Sequence, residues 1–180
     1  MKRPQMSALE GLPLLETHDR TGVPLKIRIA LQSEAATVMA VMTRAFAVYA
    51  GQLEPEPGAL RETLKDVELA MREGGAILAE CAGIHCGSAR FAAEANHLYT
   101  GRISVLPEFQ HRGIATRMLE YLATVAQRLG LQEIRLSSRS TLPQNVAFYL
   151  ARGFEIVERV PHDAAPHVDV VKFRRRLTPE

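Results

Sequence analysis

From Val105 to Met118 the chain reads VLPEFQHRGIATRM, and these residue types suit one kind of chemistry, the holding of an anion. Gln110, His111, Arg112, Gly113, Ile114, Ala115 and Thr116 span the point where an extended run gives way to a helical one. Glycine and alanine leave the backbone bare there. Free N–H groups at a helix start, together with the positive end of the helix dipole, make a phosphate site. Arg112 can add a charge-assisted contact, while His111 is as well explained as a surface residue. Gln-x-x-Gly-x-Ala is a weak string by itself, and its place between a strand and a helix is what gives it meaning. No Gly-x-Gly-x-x-Gly and no Gly-Lys-Ser/Thr ending occurs, so the common nucleotide loops fit poorly.

The elements that must position this loop are read from periodicity. Ile103 and Val105 alternate with Arg102 and Ser104 in a strand that Pro107, lacking an N–H, stops. After the loop, Ile114, Met118, Leu122, Val125 and Leu129 recur at steps of three and four. Arg117, Glu120, Gln127 and Arg128 fall opposite, which predicts an amphipathic helix closed at Gly130. Upstream, Leu25, Ile27 and Ile29 mark a first strand, and Ser33 is the expected N-cap of a helix with Val38, Met42, Ala45 and Tyr49 on one face. An exposed proline-rich loop, GQLEPEPG, precedes a second helix marked by Leu60, Leu64, Val67 and Met71. Strands over 76–80 and 84–91 flank an Ala82-Gly83 turn and form a meander with the central strand. The strand predicted over 133–137 is reached through the long helix, a parallel crossover. A short helix then carries Asn145, Phe148, Tyr149 and Leu150, and strands over 154–160 and 168–173 close the chain. Arg174 to Arg176 are expected to trail off into solvent. The order β, α, α, three β, α, β, α, two β is an α+β pattern, neither doubly wound nor a sandwich.

Val105-Leu106-Pro107, the loop from Gln110 to Ala115, the helix after it, and Asn145, Tyr149, Gly153 and Phe154 resemble the GCN5-related N-acetyltransferase (GNAT) family. The similarity runs from Leu25 to Phe173. It implies a three-layer α/β/α fold whose mixed, mostly antiparallel sheet has about seven strands, a V-shaped splay between the fourth and fifth, and about four helices. It implies acetyl-coenzyme A as cosubstrate, with the loop from Gln110 to Thr116 around the pyrophosphate and Ile103 and Val105 on the thioester and pantetheine arm. Asn145 is implied as a further pantetheine contact, although a helix-start residue satisfying backbone groups explains it equally. Tyr149, in a Tyr-x-x-x-Gly-Phe pattern, is implied as the acid for the departing thiolate; a buried core aromatic is its plainer explanation. The family's loop more often has glycine where Ala115 stands. The implied reaction is direct acyl transfer, in a ternary complex, to a primary amine of a small molecule or peptide. A non-catalytic coenzyme A sensor or interaction module on the same fold is the alternative.

Composition narrows the remaining possibilities. A chain of 180 residues fits one domain, expected over 24–176, with 1–23 as an irregular lead-in. No run reaches the length of a membrane-spanning helix and MKRPQMSALEG lacks the apolar centre of a secretory signal, so a cytoplasmic protein without a membrane partner is expected. A net charge of +2 and no basic stripe interleaved with aromatics argue against a nucleic-acid surface. Cys81 is expected opposite Ile84 and Cys86 opposite Ala79, a register that forms no disulfide. His85 alone beside them gives no ligand spacing, so no metal is expected. Cys86 as an acyl-carrying nucleophile lacks a histidine partner arrangement. Glu54 and Glu56 are candidates to attract or deprotonate an amine, against the simpler reading of a solvated loop. Arg102 and Ser104 stand where the resemblance would allow a carboxylate base, and suit an acceptor with negative charge. His85, His162 and His167 are too dispersed to define a site. An exposed sheet edge at 168–173 makes a homodimer an expectation.

Overall fold

The strand Gly75–Cys81 (β3) explains the layering, because only Glu80 in it is even partly exposed. A strand buried on both faces needs cover on both faces. Ile77, Ala79 and Cys81 join the core under the long helix, whereas Ala76 and Leu78 point the other way into a second cluster with Val38, Met42, Val67 and Met71. The protein, described here by a computed structural model for residues 9–178, is therefore a three-layer α/β/α sandwich.

Along the chain come β1 (Leu15–His18), β2 (Pro24–Ile29), α1 (Ala35–Phe46), α2 (Leu64–Glu73) and β3. They are followed by β4 (Ile84–Glu94), β5 (His97–Val105), α3 (Ile114–Arg128), β6 (Glu133–Arg139), α4 (Pro143–Leu150), β7 (Glu155–His162) and β8 (Ala165–Arg176). One sheet contains all eight strands in the order β1-β2-β3-β4-β5-β6-β8-β7. Every pairing is antiparallel except β5 with β6.

The β5–β6 pair decides where a site can form. The two strands are in register only at His97↔Glu133, Leu98↔Ile134 and Tyr99↔Arg135. Beyond Tyr99 they diverge, and β5 runs on to Val105 while β6 runs on to Arg139. This is the expected splay, between the fifth and sixth strands once β1 is counted. A bulge lies on the same stretch: Ser88↔Ser104 and Arg90↔Gly101 leave one extra residue in β5, and Arg102 takes a left-handed φ of 53°.

Several expectations are corrected. The lead-in is not irregular throughout, since Leu15–His18 pairs with β2 and the side chain of Leu9 packs into the core. The turn DRTG makes that hairpin, with Asp19 Oδ1 accepting from the Thr21 amide at 2.8 Å and Gly22 in the left-handed region at φ 81°. Ser33 does not cap the first helix. Glu34 occupies that position and binds Arg28 through two contacts of 2.6 and 2.7 Å. A bulge between Ala79 and Glu80 shifts the hairpin register, so Gly87 lies opposite Ala79 and Cys86 is the extra residue, its Sγ donating to the Ala79 carbonyl at 3.5 Å. Residues 168–173 are not an edge, because β8 is inserted between β6 and β7. The edge is β7, whose exposed Glu155, Glu158 and Arg159 discourage strand addition. Arg174 to Arg176 extend β8, and Arg174 pairs with Glu155.

The layer formed by α1 and α2 has its own core, and α1 leads into Phe46 and Tyr49. Leu78→Ala, at a side chain 1 % exposed in that core, is expected to lower stability by about 2–5 kcal/mol, read as a fall in the urea midpoint.

Candidate active site

The backbone turn between β5 and α3 is built for a ligand by what it leaves undone. His111 (φ 62°) and Gly113 (φ 83°) both lie in the left-handed region, so the chain doubles back before the helix starts. No side chain caps α3. Among the described residues, the backbone N–H groups from His111 to Thr116 find no protein acceptor. Gln110 ties the turn to the strand behind it, its Nε2 donating to the Val105 carbonyl at 3.1 Å. Ile114 packs its side chain into the core, and together with Ala115 and Thr116 it lines the cavity in front of the loop.

Arg112 does not face that cavity. Its Nε and Nη2 bind Asp19 Oδ2 at 2.6 and 2.5 Å, its guanidinium covers the Phe109 ring, and its carbonyl accepts from the Arg20 amide at 2.9 Å. The expected anion contact is thus an internal ion pair that clamps the β1–β2 turn onto the loop. Asp19 is completely buried at its carboxylate. Burial alone would raise its pKa, but the Thr21 hydroxyl, the Val23 and Thr21 amides and Arg112 together bring it down from 3.8 to about 2.

Two other arginines take the place expected for Arg112. Arg20, carried in by the clamped turn, crosses Gly113 so closely that a Cβ there would lie 3.1 Å from its Cγ. Arg152, just after α4, sends Nε to Thr116 Oγ1 at 2.7 Å and Nη1 to the Phe148 carbonyl at 2.8 Å, and stacks 3.5 Å over the Phe148 ring. Burial lowers the proton affinity of Arg152, and the nearby charge of Arg20 lowers it further. Like charges gathered beside unpaired N–H groups form an electropositive cradle. Neither arginine was signalled by the sequence, since Arg20 lies in the lead-in and reaches the loop through a contact 93 residues away.

The cradle opens into a cavity of about 600 Å³ that also contains Ile103, Val105, Asn145 and Tyr149. A second cavity of about 320 Å³ occupies the splay itself, between Thr100–Ile103 and Leu136–Arg139. Phe46, Tyr49, Ile103, Leu142, Asn145 and Tyr149 line both. The two spaces therefore meet at Tyr149. Asn145 has no hydrogen-bond partner for its side chain among the described residues.

Tyr149 owes its position to the end of α4. Gly153 bends left-handed at φ 77°, which lets the Phe154 amide donate back to the Tyr149 carbonyl at 3.2 Å. The rings of Phe148, Phe154 and Phe173 then surround the phenol at 5.3, 5.8 and 5.4 Å. Burial, with smaller effects from Tyr49 and Tyr99, pushes its pKa up to about 12. It stays protonated throughout the neutral range.

Glu54 and Glu56 are exposed and line neither cavity. His162, unremarkable in sequence, lines the smaller cavity and accepts the Ala164 amide through Nδ1 at 3.1 Å. Ser104 is buried, its hydroxyl donating to the Arg102 carbonyl at 2.8 Å. Cys81 and Cys86 are buried free thiols whose proton affinity burial raises, a poor setting for a nucleophile.

Comparison with known proteins agrees with this geometry. Residues 72–156 match an acetyltransferase (GNAT) domain. The GNAT domain of S. lividans PAT superposes with a TM-score of 0.73 at 17% identity, covering 91% of this chain and 97% of that one. The chain has the GNAT fold. The ribosomal-protein-S18-alanine N-acetyltransferase of Escherichia coli matches at TM-score 0.69 and 15% identity over 87% of this chain and 96% of its own. The PaiA N-acetyltransferase of Thermoplasma acidophilum, solved with coenzyme A, matches at 0.70 and 18% over 85% and 99%. No curated protein matches this chain in sequence.

The Asp19 clamp has a pH signature. A carboxyl with a folded pKa of about 2 against an ordinary 3.8 contributes about 2 kcal/mol above pH 4. That contribution is lost as pH falls from about 4 through about 2. Asp19→Asn is expected to lower stability at pH 7 by about that amount and to flatten the acid dependence in this window, measured by denaturant midpoints at pH 7 and pH 3.

Proposed function

We propose that this protein is a GNAT-family, acetyl-coenzyme A dependent N-acetyltransferase that passes the acetyl group directly to a primary amine of a small molecule or peptide. The observation that carries the reading is the meeting of two cavities at one buried phenol, one cavity with an electropositive cradle and the other open to an acceptor. The residues fit the cosubstrate. Six unpaired N–H groups from His111 to Thr116, with Arg20 and Arg152 beside them, match a pyrophosphate in charge and hydrogen bonding. The unpaired edge of β5 beyond Tyr99, including Ile103 and Val105, and the free amide of Asn145 match the amide groups of a pantetheine arm.

Acetyl-coenzyme A supplies an activated carbonyl whose leaving group is a thiolate. The chain's own part is to hold an amine against that carbonyl and to manage two protons. The amine attacks as its neutral form, a C–N bond forms, the C–S bond breaks, and the electron pair leaves with sulfur. Tyr149 gives the sulfur its proton. A phenol with a pKa near 12 is a weak donor to a thiolate in water, but the same apolar surroundings raise the proton affinity of a buried thiolate too, so donor and acceptor move together. The amine's proton leaves through the smaller cavity toward solvent, since no carboxylate lines it and the acceptor nitrogen of His162 is taken by the Ala164 amide.

Tyr149→Phe is expected to bind acetyl-coenzyme A as the parent does and to lose at least about tenfold in kcat, followed as thiol release beside calorimetric binding. Equal turnover in both proteins would remove Tyr149 from the chemistry. Cosubstrate binding without thiol release from any amine would favour a coenzyme A sensor instead.

A further inference from the structure

The smaller cavity is cationic to an extent that acetyl transfer does not require. Arg61, Arg102 and Arg139 line it, and no carboxylate does. Arg102 binds Glu62 Oε1 through Nε at 2.8 Å and Nη2 at 2.7 Å, but the same oxygen also takes Arg90 Nη2 at 2.8 Å. One carboxylate thus serves two guanidiniums. Arg139 donates to the backbone carbonyls of Pro55 and Glu56, neutral partners that leave its charge uncompensated. Arg61 is exposed and its guanidinium has no partner among the described residues. After burial, the largest effects on Arg139 are the like charges of Arg102 and Arg61.

The three guanidiniums that line the cavity repel one another, only Arg102 among them having a carboxylate, which it shares with Arg90, and an incoming anion relieves that repulsion. The backbone is bent to produce this arrangement. Arg102 sits at the left-handed β5 bulge, which turns its side chain into the splay, and Gly58 makes room for it: a Cβ there would lie 2.9 Å from Arg102 Nη2. Guanidinium forks fit carboxylate and phosphate groups bidentately. The cavity also has a direction. Arg61, Arg102 and Arg139 line it but not the cradle cavity, whereas Tyr149 lines both.

We propose that the acceptor is a small primary amine that also carries a carboxylate or phosphate, its amine directed toward Tyr149 and its anionic group held by Arg61, Arg102 and Arg139. This rests on the acetyl-transfer reading and names its substrate class. A polycation is excluded from the same cavity by charge.

The test uses matched acceptors on the full chain: β-alanine against β-alaninamide, phosphoethanolamine against ethanolamine, and spermidine as the cationic arm. Thiol release from acetyl-coenzyme A is expected to give at least about tenfold higher kcat/KM for the anionic member of a pair. The pair showing the larger ratio identifies carboxylate or phosphate. Arg61→Gln is expected to shrink that ratio mainly through KM, and Arg61→Lys to restore part of it. Calorimetric binding of the same amines to the coenzyme A-loaded protein separates two kinds of failure. Tighter, Arg61-dependent binding of the anionic members without any thiol release supports anion recognition and overturns the transfer reading. Neutral amines or spermidine acetylated as well as the anionic members overturns the anion proposal and leaves transfer standing.

Discussion

β5 and β6 share a ladder at His97–Tyr99 and Glu133–Arg135 and then separate, and the backbone groups that face the gap beyond that point must find a partner other than the facing strand. Both strands are held in the diverged position from outside. β5 is paired along its other edge to β4, and β6 along its other edge to β8, so neither can swing inward to close the gap. The bulge at Arg102 adds twist to β5 at the place where the strands part. What results is a slot floored by sheet and walled by Phe46 and Tyr49 on one side and α4 on the other.

The cradle at the end of this slot depends on an ordering device that begins far away in sequence. The Asp19–Arg112 pair fixes the β1–β2 turn against the loop, and the turn carries Arg20 over Gly113. A flexible loop of free N–H groups would lose conformational entropy on meeting an anion. Clamped on one side by Asp19 and on the other by Gln110 to the Val105 carbonyl, it keeps the conformation that binding needs. Electrostatics divides the site as well. Arg20 and Arg152 flank the loop end, the arginines of the splay line the opposite end, and Tyr149 lines both cavities between them.

Much of this was legible in the sequence because the signals were local. The helix from Ile114, the loop before it and the Tyr149-to-Phe154 pattern depend on residues within a few positions of one another, and period and turn chemistry report them. The α+β class followed from element order, and the three-layer arrangement from the family resemblance. What was hidden depends on contacts distant in sequence or on a one-residue slip. Arg112 looked like a phosphate ligand because nothing near it announced Asp19. Cys86 was displaced by a bulge that leaves no mark in an alternating run. Leu15–His18 is too short to show a period, although the DRTG turn after it carried the information. The strand of Val168 to Phe173 looked like an edge because order along the chain does not reveal that β8 inserts between β6 and β7.

The central claim is that unpaired backbone, in the loop and along the parted strand, is the cofactor-binding surface. Amide hydrogen exchange with and without acetyl-coenzyme A reads that backbone directly. The account predicts new protection at His111 to Thr116 together with the β5 stretch from Thr100 to Val105, while the amides of β2 and β3 stay unchanged. Protection that appears elsewhere, or no change at either stretch when the ligand is saturating, would contradict it.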